Sequence, residues 1–230
     1  MVKITWLGHS SFLIESKDTK ILIDPFLNGN PLSPVKPKDL NNIDIILVTH
    51  GHGDHLGDTV EIAKKNNSQV VAIYELANYL SEYGIKTIGI NYGGSIQIKN
   101  TKILMVPAWH SSGIIENEKI TYTGNPCGYV IEIDGKKIYH AGDTGLFKDM
   151  ELIPKISNGI DIALLPIGGR YTMDIDQAII ALEMLKPKFA IPMHYNTFPL
   201  IKTNPNEFKE KAKRIGVEVI ILDPGKSFEI

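Results

Sequence analysis

The sequence is poor in cysteine and in long apolar runs. Cys127 is its only cysteine, so no intrachain disulfide can form, which is typical of a reducing compartment. We interpret Cys127 as a buried packing residue, because nothing near it in sequence suggests an activated nucleophile. No segment approaches the ~20 apolar residues of a membrane span. The N-terminal MVKITWLGHSSFLIES also lacks the apolar core of a signal peptide. We therefore expect a cytoplasmic protein with no membrane partner.

Arginine is equally scarce, since Arg170 and Arg214 are the only two among 24 basic residues. The formal net charge is -2. Proteins that bind nucleic acid usually carry an excess of basic residues and use arginine for bidentate contacts. The composition therefore argues against an extended nucleic-acid partner and favours a small-molecule substrate. It leaves the oligomeric state open.

The rest of the composition is that of an ordinary globular protein. Hydrophobic residues make up 43% of the chain and charged residues 22%, and 230 residues fit one domain with a substantial core. Runs rich in isoleucine and valine, such as IDIILV (43–48) and IDIALLPI (160–167), alternate with helical patterns such as DIDQAIIALEMLK (174–186). This alternation predicts sheets covered by helices. We expect one α/β domain spanning residues 1–230, built from two halves of similar pattern.

The stretch THGHGDHLGD, residues 49–58, holds three of the seven histidines and follows an apolar strand. Side chains two apart on an extended backbone point the same way, so His50 and His52 can face one point. Asp54 and His55 come where the chain must turn, and they can face a second point nearby. The pattern therefore predicts a metal site that suits two ions better than one. A polar turn with solvated histidines is the alternative.

HGHGDH resembles the HxHxDH signature of the metallo-β-lactamase-fold hydrolases. Further ligand types follow in the family's order, each at the end of a strand-like run: His110 after TKILMVPAW, Asp143 after KKIYHAG and His194 after KFAIPM. The resemblance covers nearly the whole chain and implies a four-layer αββα sandwich. WLGHSSFLI and IPMHYNTFP look more narrowly like the ascorbate-6-phosphate lactonase branch, and most like a short-chain family described only as metal-dependent hydrolases.

The resemblance also implies a ligand set for two divalent metal ions. Three side chains would hold each ion: His50, His52 and His110 for the first, and Asp54, His55 and His194 for the second. Asp143 would bridge them, since a shared carboxylate offsets the repulsion of two close cations. Asp24 matches an aspartate that braces the metal loop without binding metal, with a simple turn cap as the alternative. Zinc is the expected metal because imidazole suits it, and manganese or iron could replace it.

Departures from the family pattern narrow the subgroup. True β-lactamases carry no aspartate at the bridging position, so Asp143 argues against antibiotic hydrolysis. Glyoxalase-type members usually continue the motif with two glycines, whereas Gly57 is followed here by Asp58. Nucleases of this fold commonly add an inserted domain, for which 230 residues leave little room.

Four further residues are candidates near the site. His9 lies in the GHSS turn that the subgroup shares, and it is either structural or substrate-facing. Tyr195 directly follows a candidate ligand, and it could bond substrate or pack the loop. Arg170 stands beside two glycines, where it could bind a phosphate or carboxylate or simply be solvated. Strand alternation aims His140 away from the ligands, so we expect it in the core or behind them.

The expected reaction is hydrolysis of an ester, lactone or phosphodiester bond by a metal-bridging hydroxide. Asp54 is the expected catalytic residue, which would orient the hydroxide and relay its proton. A di-iron oxidoreductase on the same ligands is one alternative, although such relatives generally carry a flavin module that is not seen here. A metal-binding protein without turnover is the other.

Overall fold

A computed structural model describes residues 1–230 and shows two seven-stranded mixed sheets. Strands are numbered in chain order. The first sheet contains β1 (Lys3–Trp6), β2 (Phe12–Glu15), β3 (Lys20–Ile23), β4 (Ile45–Leu47), β5 (Gln69–Ile73), β6 (Lys86–Ile90) and the C-terminal β16 (Ser227–Glu229). Its order is β16-β1-β2-β3-β4-β5-β6. Pairing is antiparallel from β16 to β3 and parallel from β3 to β6.

The second sheet repeats this plan. It contains β7 (Ser95–Ile98), β8 (Thr101–Pro107), β11 (Cys127–Ile133), β12 (Lys136–His140), β13 (Ile162–Pro166), β14 (Phe189–Met193) and β15 (Glu218–Val219), in the order β15-β14-β13-β12-β11-β8-β7. The pairs among β7, β8, β11 and β12 are antiparallel, and those from β12 to β15 are parallel. Asp134 and Gly135 form the tight turn between β11 and β12 with positive φ values of 48° and 74°, as the Asp-Gly pair predicts.

The helices connect the parallel strands of each sheet. They are α1 (Gly53–Leu56), α2 (Thr59–Asn66), α3 (Tyr74–Ser81), α4 (Ile153–Ser157), α5 (Ile175–Leu185) and α6 (Pro205–Arg214), with short 3-10 helices at Pro37–Asp39, Lys148–Leu152 and Pro199–Ile201. In α5, Asp174 caps the N-terminus by accepting from the Gln177 amide at 2.9 Å. The apolar face of α5 is buried, because Ala178, Ala181 and Leu182 recur at helical spacing. No helix of the structure has the length and apolarity that a membrane crossing needs.

The two sheets share one apolar core of 61 buried residues. The Tyr129 hydroxyl on β11 donates to the carbonyl oxygens of Val48 and Val71 in the first half of the chain. Phe12 on β2 also contacts the ring of His140 on β12, with centroids 5.7 Å apart. The sheets therefore pack face to face with helices outside, which confirms the predicted α/β four-layer arrangement. Cys127 is buried in this core, as expected.

A small hairpin outside both sheets was not predicted. Its strands are β9 (Ile114–Glu116) and β10 (Lys119–Thr121), which pair antiparallel. Asn117 and Glu118 form the turn with positive φ values of 49° and 64°. The hairpin follows His110 in the chain, so it leaves the second sheet beside the predicted metal site.

Candidate metal centre

The chain segments that follow β4, β8, β12 and β14 meet at one edge of the sandwich and bring the predicted ligands together. His50, His52 and His110 form the first group, in which one ligand atom from each residue lies within 4.8 Å of the others. His50 Nε2 and His52 Nδ1 are 2.9 Å apart. The ring centroid of His110 is 5.2 Å from those of both His50 and His52. Three imidazoles from two sheets thus face one point.

The second predicted group also converges. Asp54, His55 and His194 offer ligand atoms within the same 4.8 Å limit, and His9 joins them. The rings of His55 and His194 are stacked at 5.7 Å with an interplanar angle of 18°. His194 takes a positive φ of 53° directly after β14, which turns its side chain into the cluster.

Asp143 lies between the two groups. Its Oδ1 is 3.2 Å from His55 Nε2, and its Oδ2 is 3.0 Å from His194 Nε2 and 3.6 Å from His110 Nε2. The carboxylate therefore contacts residues of both groups. This is the position that a bridging ligand requires.

Asp24 braces the loop from behind. Its buried carboxylate accepts from the Thr49 amide at 2.8 Å, from the Thr49 hydroxyl at 2.7 Å and from His55 Nδ1–H at 2.8 Å. The Thr49 oxygen also lies 3.0 Å from His50 Nδ1. Because the Thr49 hydroxyl donates to Asp24, its oxygen accepts the proton of His50 Nδ1. Both His50 and His55 thus direct Nε2 into the cluster, where it can bind a metal ion once it is deprotonated.

Sequence reasoning missed Thr49, although its position between a buried strand and the first ligand was a signal. A hydroxyl residue there can reach a neighbouring imidazole and a carboxylate on the adjacent strand β3. Thr49 therefore shares the bracing role that the sequence predicted for Asp24. The HxHxDH motif does not include this residue, so the motif alone could not identify it.

Unpartnered buried atoms test whether a cation fits this cluster. His55 Nε2 and Asp143 Oδ1 are 3.2 Å apart, yet neither makes a hydrogen bond. Burial alone lowers the pKa of His55, but Asp143 and Asp24 outweigh it and raise the pKa well above its usual value. Burial raises the pKa of Asp143, but His194 and His55 hold it well below its usual value. In the cation-free protein the proton on His55 balances the charge of Asp143, and a metal ion can take the place of that proton, since His50, His55 and Asp143 offer ligand atoms to one point.

His9 is fully buried, and both of its ring nitrogens have partners. Nε2 is 3.2 Å from Asp54 Oδ2, and Nδ1 is 2.8 Å from the Thr197 hydroxyl. Burial, against the bond to Asp54, lowers the pKa of His9 to about 4, so the ring is neutral at pH 7. A carboxylate only accepts, so Nε2–H donates to Asp54 and Nδ1 accepts from Thr197. The predicted contact of His9 with substrate stays a prediction; its contact with Asp54 was not foreseen.

The other candidates lie at the margin of the cluster. Tyr195 is buried and stacks on Trp6 with centroids 5.4 Å apart, and burial raises the pKa of its phenol to about 12. This contact favours the packing alternative. Arg170 is exposed, with its guanidinium 5.5 Å from the ring of Tyr171. Its role toward substrate stays a prediction. His140 is buried and donates Nε2–H to the Ser10 carbonyl at 2.9 Å, which confirms its place in the core.

The loop of Arg170 nevertheless reaches the centre. A Cβ atom on Gly168 would lie 2.2 Å from the carbonyl oxygen of His194, so only glycine allows this approach. The Met173 amide also donates to the Thr144 carbonyl at 2.9 Å. This loop therefore packs on the segments that follow β12 and β14.

The unpredicted hairpin is fastened to the metal loop at its base. The Ser112 hydroxyl accepts from the Gly51 amide at 3.1 Å, and it lies 3.0 Å from the Thr123 hydroxyl. A Cβ atom at Gly51 would lie 2.3 Å from Thr123 Oγ1, so this contact depends on glycine. Because Gly51 stands between His50 and His52, the hairpin is fixed relative to the first ligand group.

Comparison with known protein families matches residues 19–195 to the family described as Beta-lactamase superfamily domain. Together with the two sheets and the histidine and aspartate cluster, this match defines a protein of the metallo-β-lactamase superfamily. A UPF0173 metal-dependent hydrolase of Archaeoglobus fulgidus is 52% identical and covers 99% of each chain. Another from Pyrococcus furiosus is 53% identical and covers 100% of each. The chain belongs to the UPF0173 metal-dependent hydrolase family and is a metal-dependent hydrolase.

Solved structures with a similar fold are also found. Igni18, a novel metallo hydrolase from the hyperthermophilic archaeon Ignicoccus hospitalis, is 41% identical with a TM-score of 0.89, covering 100% of this chain and 99% of its own. CmlA, a diiron β-hydroxylase from Streptomyces venezuelae, has a TM-score of 0.80 at 13% identity, covering 100% of this chain and 54% of its own. The second likeness shows the fold alone. The narrower resemblance to the ascorbate-6-phosphate lactonase stays a prediction.

Proposed function

We propose that this hydrolase cleaves an ester, lactone or phosphodiester bond and uses two divalent cations, with zinc as the expected metal and manganese or iron as alternatives. The observation that carries the proposal is the position of Asp143 in contact with both ligand groups. The proposed ligands are the seven residues predicted from the motif: His50, His52, Asp54, His55, His110, Asp143 and His194. When bound, such a pair of cations activates water at neutral pH and polarises the scissile oxygen.

Asp54 is the proposed catalytic residue. Its side chain is 33% exposed, so it is the carboxylate of the cluster that solvent and substrate can reach. Burial raises the pKa of Asp54, but the hydrogen bond from His9 and the nearby His55 outweigh it and hold the pKa below its usual range. Asp54 is therefore ionised at neutral pH and can accept a hydrogen bond from the attacking water. Its role is to orient that water and take its proton onward.

The residues around the cluster keep this arrangement fixed. His9 holds one oxygen of Asp54, which leaves the other free for a ligand or a proton. Asp24 and Thr49 hold His55 and His50 with their Nε2 atoms directed inward. No serine or cysteine nucleophile is needed, and the buried Cys127 thiol donates to the Thr49 carbonyl oxygen at 3.2 Å.

Replacement of Asp143 tests the proposal. We expect Asp143→Ala to lose at least ~100-fold in activity on lactone, ester and phosphodiester substrates, because outer partners alone are worth about 10- to 100-fold. Metal analysis of the parent should give about two zinc or manganese ions per chain. Iron with a visible absorption band would instead support the redox alternative. Asp149→Ala is the matched control, since Asp149 is exposed and lies only six positions further on. Parental turnover in Asp143→Ala would refute the mechanism.

A further inference from the structure

A cleft of about 440 Å³ lies between helix α1 and strand β9. His52 and Asp54 form part of its lining, so the cleft adjoins the metal centre directly. The hydrogen bonds of Ser112 described above fix the β9–β10 hairpin against Gly51, so this wall is held in place relative to the ligands. A group of the substrate next to the scissile bond can therefore occupy the cleft while the bond reaches the cluster.

Half of the six side chains that line the cleft are apolar. Leu56, Ile114 and Ile115 supply its hydrophobic surface, and four of the ten lining residues are glycines. A Cβ atom on Gly53 would meet nothing within 4 Å, which shows open space above that part of the cleft. Ile115 is 71% exposed, so this isoleucine has apolar surface available for a ligand. Covering it would be favourable.

The charges of the cleft are all of one sign. Asp54 and Glu116 are its only acidic side chains, and it has no lysine or arginine. An anionic group that lies in the cleft without reaching the metal centre would face Glu116 with no lysine or arginine partner, which is unfavourable. Arg170, a candidate either for binding an anion or for a solvated surface position, does not line it. The ligand that fits is uncharged and apolar.

We propose that this cleft binds an uncharged, apolar group of the substrate, such as the hydrocarbon chain of an ester or lactone. The proposal rests on the proposed function and narrows it, because it favours neutral carboxylic esters over anionic phosphodiesters. Ile115 is then a specificity-determining residue that contacts substrate beside the metal centre.

A chain-length series tests this with the zinc-loaded protein. The probes are p-nitrophenyl acetate, butanoate and hexanoate, with p-nitrophenyl hydrogen adipate, whose chain ends in a carboxylate, as the charged counterpart of hexanoate. We expect kcat/KM to rise about 10-fold or more from acetate to hexanoate, since each fully buried methylene contributes ~0.8 kcal/mol, or about fourfold. The adipate ester should lose this gain. Equal kcat/KM across the series would overturn the proposal.

Ile115→Lys tests the residue. We expect the variant to lose most of the preference for hexanoate over acetate and to improve the relative rate on the adipate ester. Ile156→Lys is the matched control, because Ile156 on α4 is 59% exposed and lies outside the cleft. If Ile115→Lys kept the parental chain-length preference, Ile115 would not be part of the substrate site.

A binding measurement separates this proposal from the proposed function. Methyl NMR of the zinc-loaded protein during titration with 1-hexanol should shift the signals of Leu56, Ile114 and Ile115 and leave Ile156 unchanged. These shifts with no turnover on any ester or phosphodiester would refute the proposed function and support the cleft as an apolar site. Turnover without these shifts would support the proposed function and refute the cleft as an apolar site.

Discussion

Thr49 offers a sharp test of how the protein prepares its metal ligands. Its hydroxyl donates to Asp24 at 2.7 Å and accepts from His50 Nδ1 at 3.0 Å, in a fully buried position. Thr49→Val keeps the shape of the side chain and removes the hydroxyl. His50 Nδ1 then loses its acceptor, and nothing fixes which ring nitrogen carries the proton. A lost outer partner of this kind typically weakens metal binding by about 10- to 100-fold.

The same change also costs stability. A buried donor left without a hydrogen-bond partner lowers the free energy of unfolding by about 1–3 kcal/mol. In a protein of this size, each 1 kcal/mol lowers the melting temperature by about 2–4 °C. We therefore expect the cation-free Thr49→Val protein to melt about 2–12 °C below the parent. The assays are a chelator competition titration for zinc affinity and differential scanning calorimetry on the cation-free protein.

Thr49→Ser is the control, because serine keeps the hydroxyl and loses only a methyl group. It should retain zinc affinity within a few fold, even if the missing methyl lowers the melting temperature. Parental zinc affinity in Thr49→Val would refute the reasoning. So would an equal loss in the serine variant, since the hydroxyl would then be irrelevant.

Two further predictions concern Asp54 and the pair formed by His55 and Asp143. His9→Ala should lower kcat by about 10- to 100-fold through loss of the bond to Asp54, with the zinc content by elemental analysis unchanged; loss of one zinc per chain would instead mark His9 as a ligand. The raised pKa of His55 means that its ring carries protons on both nitrogens at neutral pH in the cation-free protein, so zinc must displace the proton on Nε2. Apparent zinc affinity should therefore rise from about pH 6 to about pH 8 in chelator titrations, and a flat profile would contradict this.

The HGHGDH motif records local geometry, and the family resemblance implied the remaining members of the cluster. His50 and His52 alternate on extended backbone, and His110, Asp143 and His194 each follow a buried strand whose apolar pattern is plain in the sequence. Such strand ends meet at one edge in a sandwich of this kind. The positions of these side chains therefore depended on few assumptions.

The contacts that hold the ligands in position could not be predicted from the sequence, because they join segments far apart in the chain. Ser112 bonds the Gly51 amide across 61 positions, and His9 reaches Asp54 across 45. The β9–β10 hairpin has only three residues in each strand, and Ile115 and Ile120 are exposed, so it lacks the buried alternation that identifies a strand. The packing of Tyr195 on Trp6 likewise depends on the tertiary fold.

The ligand groups also draw on both sheets. His50 and His52 follow a strand of the first sheet and His110 follows a strand of the second, and the second group divides in the same way. Metal bound at this centre would therefore link the two sheets, and the sheets could not separate without releasing the metal. The melting temperature should then rise with the free zinc concentration, with the two sheets unfolding as one unit when zinc is abundant.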